Sequence, residues 1–336
     1  MSEFFPTPQI LISPSARPPT HTMNPQPISP LIGPFNPPAS ADADRLVELI
    51  QPFAPAERTS PWPPLPETNF LRAYGLRENP FADCVHPGFF YRTDSHADAF
   101  RSMMLAIEFN ASLGMVTGAS GTGKTLVSQL LLEHLDSAKY RPILVLVTPG
   151  LSKTGLLREI LSELSIPLPV GITSVQDLVR LLGNHIIDLY QRDQRVVMIY
   201  DDSHMLSADC LHIVRTISNI ETPQRKLVTC LLFGEARLVA RLEHPSYESL
   251  RNRIYLRSVL APLTAEDAAQ YVKFRLMVVG RTAELFTEAA LRALHAHARG
   301  ICRSLNKLCM LSLAEGTARQ RAVIDEEIVA ATAAKM

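Results

Sequence analysis

Gly118-Ala119-Ser120-Gly121-Thr122-Gly123-Lys124-Thr125 fits the spacing G-x-x-x-x-G-K-[ST], and its flanks give the pattern its meaning. The apolar run Leu113–Thr117 precedes it and an amphipathic stretch begins at Lys124, so the motif joins a strand to a helix. Glycines at 118, 121 and 123 let the backbone curl until successive amides face one anion. The helix that follows adds its N-terminal dipole, Lys124 brings a cation for the β- and γ-phosphates, and Thr125 offers a hydroxyl to Mg²⁺. Residues 118–125 therefore read as the phosphate-binding loop of an ATP site.

Strand-sized apolar runs recur outward from this loop: Ile143–Thr148, Val196–Tyr200, Leu227–Phe233 and Ile254–Leu260. Each is β-branched or leucine-rich and bounded by Gly, Pro or charge, as buried parallel strands are. Helical stretches alternate with them at Lys124–Leu135, Lys153–Leu164, Val175–Tyr190 and Ala208–Ile217, which predicts a doubly wound parallel sheet in three α/β/α layers. After Pro262 the strands stop. Thr264-Ala265-Glu266-Asp267 is a capping box opening a helix that ends before Gly280, and Thr287 caps a second helix reaching Ala298. A third follows Ile301 and a fourth opens at Asp325-Glu326-Glu327, so the last part is all helical. Residues 1–66 hold 17 of the 26 prolines, a density that removes amide donors and precludes regular packing. They read as a disordered or extended Pro-rich arm interrupted by one short helix at Ala41–Leu49. The domains expected are thus 1–66, 67–262 and 263–336.

The run Val196-Val197-Met198-Ile199-Tyr200-Asp201-Asp202 ends in two acids. A strand of this kind delivers carboxylates to the C-terminal edge of the sheet, beside the loop. Asp201 would hold Mg²⁺, and Asp202 would orient or deprotonate an attacking water. His204, three positions beyond the first acid, would sense the γ-phosphate or couple to a neighbouring element, or would merely form the turn.

Composition excludes other classes. No run of about 18 apolar residues is present, and the N-terminus lacks a signal-peptide layout, so a cytoplasmic protein without a membrane span is expected. The five cysteines are scattered with no C-x-x-C pair, against a disulfide framework or a zinc site. The net charge of +0 hides an asymmetry: between Arg225 and Arg321 there are 16 Lys/Arg against 8 Asp/Glu, a basic part able to meet phosphates of a nucleotide or of DNA.

From about Phe70 onward the chain resembles the AAA+ ATPases of the ExeA/GspA type. The opening Tyr74-Gly75-Leu76, Asn79-Pro80-Phe81, Phe90-Tyr91 and Ser95-His96 is similar to theirs. So are Leu232-Phe233-Gly234-Glu235-Ala236-Arg237-Leu238, Leu250-Arg251-Asn252-Arg253-Ile254, Pro262-Leu263-Thr264-Ala265-Glu266-Asp267, Tyr271 with Arg275-Leu276, and Gly300-Ile301-Cys302-Arg303-Ser304-Leu305-Asn306. The resemblance implies a P-loop NTPase of AAA+ type with a small helical lid. It makes Arg303 a sensor for the γ-phosphate of its own subunit and Arg253 (or Arg251) a finger reaching a neighbour's ATP. It also implies a homo-oligomer, ring or filament, and suggests Tyr74, Leu76 and Pro80-Phe81 for the adenine side, where ordinary core packing is the other reading. Three positions depart from the pattern: Asp202 stands for Glu, Glu235 for Gln and Cys302 for Pro. The basic C-terminal part favours an ATP-dependent regulator on double-stranded DNA, of the MuB/TniB transposition type, recruiting a transposase-like partner through the Pro-rich arm. The alternatives are an ATPase assisting secretion-system assembly and, further off, a P-loop kinase.

Overall fold

Each apolar run of the sequence must bury its side chains on one or both faces of a sheet, and the neighbours it finds decide how much of it is covered. The computed structural model describes residues 70–83 and 87–336. The arm 1–66, the helix expected at 41–49 and Cys84 lie outside the described residues. The strands are β1 (Leu113–Gly118), β2 (Tyr140–Leu146), β3 (Arg195–Asp201), β4 (Val228–Gly234) and β5 (Ile254–Leu260). They form one five-stranded sheet in the order β2-β3-β4-β1-β5, with every pairing parallel.

Alternation along each strand divides the core into two layers. Met115, Met198, Tyr200, Cys230 and Leu232 face one side with helices α4 (Lys153–Glu163), α5 (Val175–Gln191) and α6 (Ala208–Ile217). Val116, Val197, Ile199, Leu231 and Phe233 face the other with α2 (Asp94–Glu108) and α3 (Lys124–His134). Short helices α1 (Phe70–Ala73), α7 (Ala236–Leu242) and α8 (Glu248–Arg251) complete this part. The sheet is therefore the three-layer α/β/α core expected. Two strands differ from the sequence reading, and both are edges. β2 starts before Pro142, because an edge strand has no second partner to miss the proline's N–H. β5 alternates in exposure, with Tyr255 at 66% and Val259 at 68%, where continuous burial was expected.

Beyond residue 263 come α9 (Ala265–Val278), α10 (Glu288–Ala298), α11 (Cys302–Ala318) and α12 (Glu326–Ala333). Their starts follow the caps legible in sequence: Thr264 accepts from the Asp267 amide at 3.1 Å, Thr287 from Ala290 at 3.1 Å and Asp325 from Ile328 at 3.0 Å. The helices do not close their core alone. Phe70, Tyr74, Leu76, Phe81 and Phe89 share it with Leu276, Phe286, Leu294, Leu308 and Ile324. Tyr74 donates to the Arg321 carbonyl at 3.0 Å. Tyr74, Leu76 and Phe81 are thus core residues of the helical part, and their side chains are not those that line the cleft described below.

Arg275 binds the two segments together. It is buried and among the described residues has no carboxylate partner. Its guanidinium donates to the Pro80 carbonyl, to Ala82 O at 3.4 Å and to Tyr271 Oη at 2.9 Å, and it lies 4.5 Å over the Phe89 ring. Carbonyl dipoles and ring faces replace a counter-ion, and only a planar fork reaches all of them. Arg275→Lys is expected to lower stability by about 2–4 kcal/mol, since the point charge keeps its burial but loses most of these bonds. Urea unfolding measures this; an unchanged midpoint would contradict the clamp.

Candidate nucleotide site

Register brings the functional turns to one edge. Thr117 pairs with Gly234, Tyr200 with Leu232 and Leu146 with Asp201. The segments leaving β1, β3 and β4 therefore emerge side by side, carrying the loop 118–125, the acids 201–202 and Glu235. β4 stands between β1 and β3. The sequence placed Ile143–Val147 between the two motifs along the chain; in space the separating strand is β4, and β2 lies at the edge.

The loop turns through left-handed conformations at Gly121 (φ +79°) and Gly123 (φ +99°). Gly123 is the N-cap of α3 and supplies no capping side chain, so the first-turn amides of that helix remain free to meet an anion. Lys124 is buried and folds back over the loop, its Nζ donating to Gly118 O at 3.1 Å and Ala119 O at 3.0 Å. Burial pushes the ammonium below its usual pKa, opposed by Glu235, Asp202 and Asp201 and reinforced by Arg303. Thr125 Oγ1 donates to Asp201 Oδ2 at 2.7 Å, and Asp201 Oδ1 accepts from the Asp202 amide at 2.9 Å. This pairing of hydroxyl and carboxylate is the donor set a hard divalent cation takes when it bridges phosphates, so these residues fit the metal expected from sequence. Asp202 turns out of the strand in the left-handed region (φ 51°), leaving its carboxylate 60% exposed.

Arg303 reaches the loop from the helical part. Its backbone N–H donates to Gly121 O at 3.2 Å, Nη1 to Ser120 Oγ at 3.3 Å, and Nε lies 3.6 Å from Asp83 Oδ1. A Cβ on Gly121 would stand 2.7 Å from Arg303 Cβ, so Gly121 makes room for the docked helix as well as for the turn. The cleft between loop and helices is lined further by Phe89, Tyr271, Arg275, Cys302 and Asn306, with Tyr271 Oη donating to Asn306 Oδ1 at 2.8 Å. Sequence reading gave no role to Phe89, Asp83 or Asn306. The available signal was spacing, since Tyr271 and Arg275 share a helix face at i,i+4 and Arg303 and Asn306 at i,i+3. His96 was missed too. Its Nε2 meets Thr122 O at 3.0 Å and its Nδ1 meets Thr93 Oγ1 at 2.6 Å. The carbonyl can only accept, so Nε2 carries the proton and the ring props the loop from behind; burial holds its pKa below the usual value.

Arg253 lies elsewhere. It precedes β5, and Leu113 pairs with Ile254, which sets it at the far end of the sheet, one strand length or roughly 20 Å from the loop. Its Nε is buried without a hydrogen-bond partner. Arg251 is tied within the chain, to Glu243 Oε2 at 3.2 Å and to the Leu242 and Glu243 carbonyls. A few cations of the basic part are likewise engaged within the chain by acids outside 225–321, Lys226 by Glu221, Arg303 by Asp83 and Arg319 by Glu327, and Arg275 is buried in the core.

Loop, acids, sheet order and docked helical part together define an AAA+ P-loop module. Residues 107–242 match the family model of the AAA domain. Among solved structures the chain is similar to Cdc6p of Pyrobaculum aerophilum, with a TM-score of 0.61 at 18% identity over 76% of this chain and 70% of that one. It is also similar to the ORC2 protein of Aeropyrum pernix, with a TM-score of 0.59 at 14% identity over 77% and 71%; at such identities the likeness is one of fold. In sequence it is 31% identical over 252 residues to general secretion pathway protein A of Aeromonas hydrophila, covering 74% of this chain and 45% of that protein. By fold and site the chain is an AAA+ protein similar in sequence to the ExeA/GspA type, and it spans about half the length of the curated relative it matches. Among the described residues no helix is long and apolar enough to cross a membrane.

Removing Lys124 leaves the loop 118–125 without the buried cation that folds back over it. Lys124→Ala is expected to weaken binding of a fluorescent ATP analogue by at least about 100-fold. Binding within threefold of the parent would remove Lys124 from the site.

Proposed function

We propose that the chain binds ATP with Mg²⁺ and hydrolyses it as one subunit of a homo-oligomer, and that it serves the assembly of a secretion apparatus. The observation that carries the nucleotide reading is the 2.7 Å contact between Thr125 and Asp201, which joins the loop to the acidic strand across β4. Lys124 and the loop amides bind the β- and γ-phosphates, and Asp202 orients the attacking water and takes its proton. Mg²⁺, held by Thr125 and Asp201, neutralises charge on the phosphates when bound. Arg303 reads the γ-phosphate in its own subunit. Arg253, at the far end of the sheet with an unpartnered Nε, serves the neighbour's site, so turnover requires assembly. Arg251, engaged with Glu243, holds its own loop in place.

The secretion role rests on similarity to general secretion pathway protein A over most of this chain. The alternative of a DNA-associated transposition regulator drew on the basic part 225–321, whose excess of cations over acids persists in the fold, but the sequence relative speaks for the secretion role. No observation favours a transposase partner or a kinase.

Phosphate release and particle size, followed with and without double-stranded DNA across a salt series, test both halves. ATP-dependent assembly that is indifferent to DNA is expected; DNA-stimulated turnover falling steeply with salt would restore the regulator. Asp202→Asn is expected to keep ATP affinity while turnover drops by about 100-fold or more. Arg253→Ala is expected to do the same and Arg251→Ala to change turnover less than about threefold. Unchanged turnover in either of the first two variants removes that residue from the mechanism. In the host, a Lys124→Ala chain that still supports secretion would overturn the secretion role.

A further inference from the structure

Asp202 and Glu235 follow the ends of the neighbouring strands β3 and β4, and one buried ring lies between them. His204 is 2% exposed in its side chain, with Nδ1 3.8 Å from Asp202 Oδ1 and Nε2 3.8 Å from Glu235 Oε1. Neither nitrogen has a hydrogen-bond partner. Both distances are too long for hydrogen bonds and short enough that a shift of about an ångström closes either one. A buried polar ring left unpaired is costly, and such groups in folded proteins call for an explanation.

The fold fixes the ring's place without fixing its bonds. Ser203 Oγ donates to Phe233 O at 2.7 Å, pinning the turn after β3 to the end of β4. The Met205 amide closes that turn onto Asp202 O at 2.8 Å. A Cβ at Gly234 would meet Ser203 Oγ at 2.9 Å and the His204 backbone nitrogen at 3.2 Å, so the turn sits as close to β4 as a glycine permits. The imidazole is thereby wedged between the two strand ends, with a carboxylate at each nitrogen. Glu235 is itself paired with Arg237, Nε to Oε2 at 3.2 Å.

Burial favours the neutral ring, against the pull of Glu235 and Asp202 and with the push of Arg237 and Lys124. A neutral imidazole has one N–H and one lone pair. It can donate to Asp202 through Nδ1 or to Glu235 through Nε2, never to both at once. We propose that His204 is a positioning residue for Asp202: its tautomer couples the carboxylate that orients the attacking water to Glu235 at the end of the neighbouring strand. When the proton is on Nδ1 the ring holds Asp202; when it is on Nε2 the ring holds Glu235 and Asp202 is free. The aspartate is steered from behind by the ring, and Glu235 gives that ring its second partner. This inference deepens the hydrolysis reading and rests on it.

The test uses ring nitrogens and kinetics on the full chain. In ¹⁵N-histidine-labelled protein, with the His204 signals assigned by their loss in His204→Gln, Glu235→Gln is expected to move the proton toward Nδ1 and Asp202→Asn toward Nε2. In turnover, His204→Phe fills the same space without an N–H. It is expected to lower kcat about tenfold with KM for ATP within twofold, and to add nothing to the loss caused by Asp202→Asn. His204→Gln, which keeps a donor, is expected to recover part of kcat and guards against a folding defect in the phenylalanine variant. A tautomer ratio indifferent to both carboxylates, or losses of His204→Phe and Asp202→Asn that simply multiply, would overturn the coupling. Opposite tautomer shifts in a protein that releases no phosphate would leave the coupling standing and sink the hydrolysis reading instead.

Discussion

Thr125 and Asp201 meet across 2.7 Å, although one begins the helix after β1 and the other ends β3, with β4 between those strands. The contact depends on parallel pairing throughout, because only then do the C-terminal ends of β1, β3 and β4 arrive at one edge. It depends equally on both faces of the sheet being covered, since a strand such as β4, buried along its whole length, cannot border solvent. The two core layers, the short turns and the level register are what hold a hydroxyl and a carboxylate at bonding distance. Lys124 then finds its loop carbonyls, and the acids flank it.

A second constraint acts from the opposite side. The N-terminal end of α11 docks on the loop through the Arg303 amide and Gly121 O, and the missing side chain at Gly121 is what allows that approach. The helical part in turn takes Phe70, Tyr74, Leu76, Phe81 and Phe89 into its core and holds the 80–82 backbone with Arg275. The cleft is thereby walled by segments far apart in sequence: Asp83 and Phe89 from the start of the described chain, Tyr271 and Arg275 from α9, Arg303 and Asn306 from α11. Anything that moves the helical part moves these walls and Arg303 together.

The loop, its strand and helix, and the acidic strand end were legible because each carries its chemistry in consecutive residues. Strand and helix positions followed from periodicity, and the starts at Thr264, Thr287 and Asp325 followed from caps, which are local by nature. Less was legible where meaning depends on what packs alongside. Pro142 hid the start of β2, and the exposure of Tyr255 and Val259 hid in an apolar run, because edge positions are a property of the sheet and not of the strand. Tyr74, Leu76 and Phe81 could be matched to relatives, but only the folded chain shows that they fill a core. His96 reads as one polar residue near a helix start until Thr122 O is found against it, and the choice among sensor, coupling and turn roles for His204 stays open until Glu235 is seen across the ring. The basic stretch says less for a related reason: composition counts charges but does not say where the fold puts them, as with Arg275, buried in the core, or Lys226, paired with Glu221 outside the stretch.

The proposal that links these features is a site completed by a second subunit, with Lys124 and Arg253 at opposite ends of one sheet. Mixing two variants that are each inactive, Lys124→Ala and Arg253→Ala, isolates that claim. The first keeps its finger and lacks a working loop, and the second keeps its loop and lacks the finger. If the site is shared, an equal mixture recovers up to about a quarter of the parent's turnover per subunit, since a working loop then meets an intact finger at that frequency. A mixture as inactive as its components, although the two variants assemble together, would contradict it.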